Sequence, residues 1–327
     1  MKLLFIFLDG VGLGEDKPQV NPFIQAVTPH IDDLLDGNKI ISNGHQHGSA
    51  VENIIFQNKR VSLLALDACL GVEGMPQSAT GQASLLTGKN VPDMLGLHDG
   101  PKPNPVIMEI LSLGTLFSQM VKQELKVSLL NAYPPRYFDS IESGYRLPGV
   151  IALSASYAGL PIKTMDDLQR GNAISTDFTA QGWRDHLGLI DTPLLTHHQA
   201  GERLIALSEG FELSFFEYWL TDVAGHHQDM QSACALLGQL DRVLGSLVKS
   251  WDDEQGLILI TSDHGNLEDL STRHHTRNDV PLLIVGSPRL RELFLNYLNL
   301  STNSKPKPDL TDVTPAILQL IGNIESR

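Results

Sequence analysis

Cysteine is nearly missing from this chain. Cys69 and Cys234 are the only two in 327 residues, too few for a disulfide framework, and they read as two free buried thiols from a reducing compartment. Positive charge is also short: 24 Lys and Arg stand against 38 Asp and Glu, a formal charge of −14, and no run of Lys or Arg forms a basic stripe. Nucleic acid and anionic membrane surfaces need such a stripe to release their counterions, so both are set aside as partners. Long hydrophobic runs are lacking as well. The opening Leu3 to Leu8 ends at Asp9 after six residues, too short for a signal h-region or a membrane span, and no small-residue cleavage site follows. It reads as a buried strand of a cytoplasmic protein.

With 42% hydrophobic and 19% charged residues, disorder, collagen-like sequence and a coiled coil are excluded. The length predicts one large domain carrying a smaller appended one. Apolar runs at Leu3–Leu8, Leu257–Thr261 and Leu282–Val285, and a more aromatic one at Leu213–Leu220, are bounded by Gly, Asp, Pro or Ser. Continuous runs of this length suit strands covered on both faces. Between them the period turns helical, chiefly over Gln228–Trp251, and the end, Asp309 to Gly322, reads as a terminal helix stopped by glycine. Strands alternating with helices predict an α/β fold: a mostly parallel central sheet with helices on both faces. Residues 1–98 and 201–327 are assigned to this core, and the Pro-, Gly-, Tyr- and Ser-rich stretch 99–200 to an inserted cap or substrate region. The helix-like Val106–Gln123 and the strand-like Lys126–Leu130 fit either part, so 105–133 can belong to the core.

In such folds the chemistry collects at the carboxyl ends of the strands. Asp9 follows the first run, Asp222 the aromatic one and Asp263-His264 the third. With His226 and His275 they make six candidate ligands. A lone His at a strand end is more often hydrogen-bonded than metal-bound, but convergence of several such pairs points to a metal site. The mixture of carboxylate and imidazole suits zinc, manganese or iron better than calcium. Six ligands are about right for two ions, and two ions about 4 Å apart form a clamp for phosphoryl displacement. A second feature is Pro76-Gln-Ser78-Ala-Thr80-Gly-Gln82-Ala-Ser-Leu-Leu-Thr-Gly88, where small residues lead into a short helix. A hydroxyl there would have the free N–H groups and the positive dipole end of the helix beside it. Alone, the segment is more often an N-cap than a nucleophile, because a hydroxyl needs a base or a metal to activate it.

Five ordered motifs, Asp9-Gly10, Ser78-x-Thr-Gly-Gln82, Asp222-Val-Ala-Gly-His226, Ser262-Asp-His-Gly-Asn266 and His275-Thr-Arg-Asn-Asp-Val-Pro-Leu-Leu283, resemble the alkaline phosphatase superfamily of metalloenzymes. Within it they are most similar to the branch of phosphopentomutase and cofactor-independent phosphoglycerate mutase. The likeness runs along nearly the whole chain except the middle. It implies two divalent metals, Mn²⁺ or Zn²⁺ with Mg²⁺ or Fe as alternatives, and a small phosphorylated substrate. It makes Ser78 the nucleophile, with Thr80 as the alternative, and a ligand of one metal together with Asp9, Asp263 and His264. Asp222, His226 and His275 would hold the second, while His227 and His274 adjoin these ligands as substitutes. The implied reaction is phosphoryl transfer on a phosphate monoester through a phosphoserine, as a phosphatase or a phosphomutase. The alternatives are a phosphodiesterase or nucleotide pyrophosphatase of the same superfamily, or a non-catalytic relative stabilised by its metals.

Three departures mark the sequence. The Pro and Arg that sulfatases place after their nucleophile are missing, Gln82 stands where the mutases usually carry a His, and the insertion matches neither mutase cap. Lys89 and Asn90, just past the Ser78 segment, and Arg136 and Arg146 in the insertion are the candidate substrate contacts. Arg170 and Arg184 in the insertion are candidates of the same kind, since guanidinium matches phosphate or carboxylate bidentately; each of the four Arg is more often a solvated surface residue, and Asn266 reads as structural.

Overall fold

The computed structural model describes residues 1–42, 54–300, 305 and 307–325. Its described strands are β1 (Lys2–Leu8), β2 (Ile54–Gln57), β3 (Val61–Leu66), β4 (Val127–Leu129), β5 (Leu213–Tyr218), β6 (Gly256–Thr261) and β7 (Val280–Val285). They form one sheet in the order β2-β3-β7-β6-β1-β5-β4. β6, β1, β5 and β4 run parallel, whereas β7 is antiparallel to both β6 and β3, and β2 is antiparallel to β3. Five of the seven described strands therefore point the same way, and the sheet is mostly parallel.

The unbroken apolar run of β1 has a simple cause. Phe5 pairs with Phe215 on one side and Leu259 on the other, and both faces of the strand are covered. Leu3, Phe5 and Phe7 enter one buried cluster, with the helices Ser78–Thr87, Pro105–Leu113, Leu116–Lys122, Val150–Tyr157, Pro288–Leu300 and Leu310–Glu325. Leu4, Ile6 and Leu8 enter the other, with the helices Pro29–Leu34, His197–Ser208 and Met230–Ser250. Side chains alternate across a strand, so a strand buried on both faces has no polar positions to spare.

Some elements differ from expectation. Val106–Gln123 is two helices, because Gly114 at φ 156° ends the first and Thr115 opens the second through a capping box with Ser118. The aromatic run stops at Tyr218, and a helix, Leu220–His227, begins two residues later, placing Asp222 on a helical first turn. The terminal helix passes through Gly322 to Glu325. Neither thiol is fully buried: Cys69 and Cys234 are both free and half-buried. Within 99–200, β4 pairs with β5, and Ile107, Phe117 and Ile151 enter the main core. Ala132, Leu168, Ala173, Ala180 and Trp183 form a separate small cluster. No helix among the described residues is long and apolar enough to cross a membrane.

Candidate metal centre

The sheet directions explain why distant residues meet. Asp9 leaves the carboxyl end of β1, Asp222 lies just past β5, and Asp263-His264 just past β6. β3 points the same way, so the chain leaving it reaches the same edge and turns into the helix that starts at Ser78. β7 runs in the opposite direction, so its amino end, and His275 just before it, arrives there too.

Two clusters result. Asp9, Asp263 and His264 form one, all buried, and Asp222, His226 and His275 the other, with Asp222 half-buried and His226 exposed. The rings of His264 and His275 stack at 3.8 Å between centroids and 15°, so the clusters touch. Ser78 Oγ stands 3.0 Å from His264 Nε2. Gln82, one helical turn further on, donates its amide to Asp263 Oδ2 at 3.1 Å and to Asp9 Oδ2 at 3.3 Å. Gly10 is required here: at φ 68°, a Cβ on it would lie 2.6 Å from Asp222 Oδ1.

The donor set fits metal ions on geometric grounds. His226 Nδ1 lies 2.7 Å from the Arg273 carbonyl, and His275 Nδ1 lies 2.8 Å from the Pro76 carbonyl. A carbonyl only accepts, so both Nδ1 atoms carry a proton, which in the neutral ring leaves the Nε2 lone pair free. Those lone pairs face Asp222 oxygens at 3.2 and 3.6 Å. His264 Nε2 faces Asp9 Oδ1 at 3.3 Å and Asp263 Oδ2 at 3.6 Å, and Asp9 Oδ1 is buried without an aligned hydrogen bond. Acceptor facing acceptor is repulsive unless a proton or a cation stands between them. The buried acids register this crowding: burial, and then the charge of Asp263, pushes Asp9 up to about 7, and burial also raises Asp263. Burial works against a charged His264, yet Asp263 and Asp9 outweigh it and hold the ring at about 10. His275 falls to about 4 through burial and then the neighbouring His264.

The remaining candidates separate clearly. Thr80 Oγ1 is tied to the Gln77 and Asp99 carbonyls and takes part in neither cluster. His227 and His274 are exposed and outside both. Lys89 and Asn90 are not brought to the centre: they lie past the far end of the Ser78 helix, about 15 Å along its axis, where Asn90 caps the next helix. Arg136 and Arg146 line a cavity of about 420 Å³. Arg170 pairs with Asp166 on the surface, and Arg184 binds the Thr192 carbonyl.

One structural residue, Glu268, had no signal in the sequence, and a second, Asn266, was legible there only as structural. Glu268, 1% exposed, accepts from the backbone N–H groups of Gly12 and Asn266 at 2.8 Å each, from Asn278 at 3.0 Å and from the Thr276 hydroxyl, joining the loops after β1, after β6 and before β7. Asn266 donates to Asp222 Oδ1 at 2.7 Å and so orients a candidate ligand. An acid expected at a strand end would have drawn notice, but Glu268 sits within a turn.

Residues 191–323, which carry five of the six clustered acids and imidazoles, match the model of the Metalloenzyme superfamily. Among named relatives, the chain is similar to the 2,3-bisphosphoglycerate-independent phosphoglycerate mutase of Cereibacter sphaeroides, at 31% identity over 36% of this chain and 22% of that protein. It is similar to the enzyme of the same name from Desulforudis audaxviator at 28% identity, over 40% of this chain and 25% of that protein. The chain thus spans about a quarter or less of these relatives' length. In fold it is similar to the PH0037 protein of Pyrococcus horikoshii, with a TM-score of 0.55 at 16% identity, covering 98% and 96% of the two chains. The matched region 191–323 contains Asp222, His226, Asp263, His264 and His275, while Asp9 and Ser78 lie outside it.

Proposed function

We propose that this protein transfers the phosphoryl group of a phosphate monoester to Ser78, with one divalent metal held by Asp9, Asp263, His264 and Ser78 and a second by Asp222, His226 and His275. The observation that carries the reading is the place of Ser78. Its hydroxyl is 3.0 Å from His264 Nε2, and two residues earlier the Pro76 carbonyl anchors His275, so one short segment serves both clusters. The mixed carboxylate and imidazole set favours zinc, manganese or iron. Bound there, two cations would offset charge on the phosphate oxygens and on the leaving alcohol.

The chain's own groups then have defined tasks. Ser78 opens a helix, whose positive end favours an oxyanion at Oγ and a phosphate close by. Gln82 donates to both Asp9 and Asp263 and so holds the two carboxylates side by side at the site. The phosphoserine would pass its phosphoryl group to water in a phosphatase or to a substrate hydroxyl in a mutase. Part of 99–200 acts as the substrate region in this reading: the stretch around 132–187 walls the cavity, while 105–129 packs with the core.

The test is turnover of p-nitrophenyl phosphate and of its bis-ester by metal-stripped protein reloaded with Mn²⁺, Zn²⁺ or Mg²⁺, together with acid-quench trapping of labelled phosphoserine. Ser78→Ala is expected to abolish monoester turnover, by at least a thousandfold, and the trapped label with it. A preference for the diester would replace this reading with a phosphodiesterase. Unchanged turnover in Ser78→Ala would end it.

A further inference from the structure

The cavity beside the metal centre has a chemistry that phosphoryl transfer alone does not require. It lies against the centre on two sides. Gly100, in the segment leading to Lys102, approaches the Ser78 backbone so closely that a Cβ there would lie 3.3 Å from Ser78 N. Trp219 and Leu220 line the cavity and lead directly into the helix carrying Asp222 and His226. In a chain of charge −14, three cations face this one space: Lys102, Arg136 and Arg146. Among the described residues none of the three forms an ion pair. Lys102 is half-buried, and burial, then the charge of Arg146, lowers its pKa, as expected of an ammonium short of counter-charge.

Two acids face the same space, and neither forms an ion pair with the three cations. Asp177 is taken up by its own loop, accepting from the Ser175 hydroxyl and from the Ala180 and Gly182 N–H groups. Glu217 accepts from the Tyr133 hydroxyl at 3.3 Å, and burial, then the charge of Asp9, raises it to about 7. The other wall is aromatic. The Tyr133 and Tyr137 rings lie 4.3 Å apart, Arg146 stands 5.9 Å over Tyr137, and Trp219 keeps 43% of its surface exposed at the side nearest Asp222. Aromatic faces hold flat rings by offset stacking, and guanidinium groups pair with carboxylate or phosphate. A volume of about 420 Å³ is in the range of small-molecule sites, and a short acyclic acid would leave these rings facing water.

We propose that this cavity receives the alcohol part of the substrate, and that this part is a planar ring bearing a second anionic group held by Arg146 and Lys102. The proposal rests on the phosphoryl-transfer reading for the position of the phosphate. Binding of non-hydrolysable phosphonates to the metal-loaded protein, by calorimetry and by tryptophan fluorescence, tests it without turnover. (4-Carboxybenzyl)phosphonate is expected to bind at least tenfold tighter than benzylphosphonate, which lacks the anion, and than 3-phosphonopropionate, which lacks the ring. Arg146→Gln combined with Lys102→Met is expected to close the gap between the two benzyl ligands, and Tyr137→Leu the gap between the carboxylated benzyl ligand and the acyclic one.

Equal or tighter binding of 3-phosphonopropionate by the unaltered protein overturns the proposal, as does a uniform loss for all three ligands in the double variant. If the ligands follow the expected order and Ser78→Ala leaves phosphate-ester turnover unchanged, the phosphoryl-transfer reading fails while the cavity assignment stands. The reverse pattern fails the cavity alone.

Discussion

At the scale of single residues, Ser78 and Thr80 stand two positions apart on one helix and do unlike things. Thr80 Oγ1 closes backbone contacts to Gln77 and Asp99, so Thr80→Ala is expected to cost about 1 kcal/mol of stability and to keep its activity, measured by thermal melts beside the turnover assay. The sequence left this pair open because both hydroxyls precede Gly81; only the direction of each side chain separates them. Glu217 gives a pH test. Its folded-state pKa is raised to about 7 from the ordinary carboxyl range, so the folded state holds a proton that the unfolded chain releases. That contribution is present below pH 4.5 or so and is lost as pH rises through about 7. Glu217→Gln should therefore raise the melting temperature at pH 8 relative to the parent and change it least at pH 5. A constant difference across that range would contradict the burial of the charge.

At the scale of elements, the strands were legible and their neighbours less so. β1, β5, β6 and β7 announced themselves because strands covered on both faces are mostly apolar along their length, whereas the direction of β7 has no signature in its own residues. The convergence of Asp9, Asp222 and Asp263 followed from the rule for parallel strands. The arrival of His275 needed an antiparallel strand, and the rule for parallel strands gave no reason for it. The break at Gly114 was present in the sequence as glycine followed by Thr-x-x-Ser, and the apolar period on either side masked it. Glu268 belongs to this scale because it fastens three loops rather than one partner. Glu268→Ala strips a buried carboxylate from four donors. The expected cost is roughly 3 kcal/mol, with weaker metal binding because the loops carrying His275 and Asp263 loosen together. Metal titration and denaturant melts on the same samples check both.

At the scale of the whole molecule, the chain concentrates acid where cations are expected and, among the described residues, sets three cations without an ion pair, Lys102, Arg136 and Arg146, around one cavity. Chelation should then lower the melting temperature, and reloading should restore it, because an ion bound only by the folded state adds about 2.7 kcal/mol at a free concentration a hundred times its Kd. Asp222→Asn is expected to remove one of two equivalents of bound metal, and Asp263→Asn the other, counted by elemental analysis after gel filtration. Loss of both from either variant would mean that the two clusters form one cooperative site. Of the cavity the sequence offered only Arg136 and Arg146: Lys102, Tyr133 and Trp219 share no spacing with them, and only the folding of the middle of the chain against β5 brings them together.

The strand order also bears on how the polypeptide is made. β7 lies between β3 and β6, yet it is the last of the described strands to leave the ribosome. Until β7 has emerged and paired, the growing chain holds two incomplete half-sheets, each with an open edge, and His275 has no seated strand behind it to bring it to Asp222 and His226. A metal held by those three would be captured late, as the seam closes.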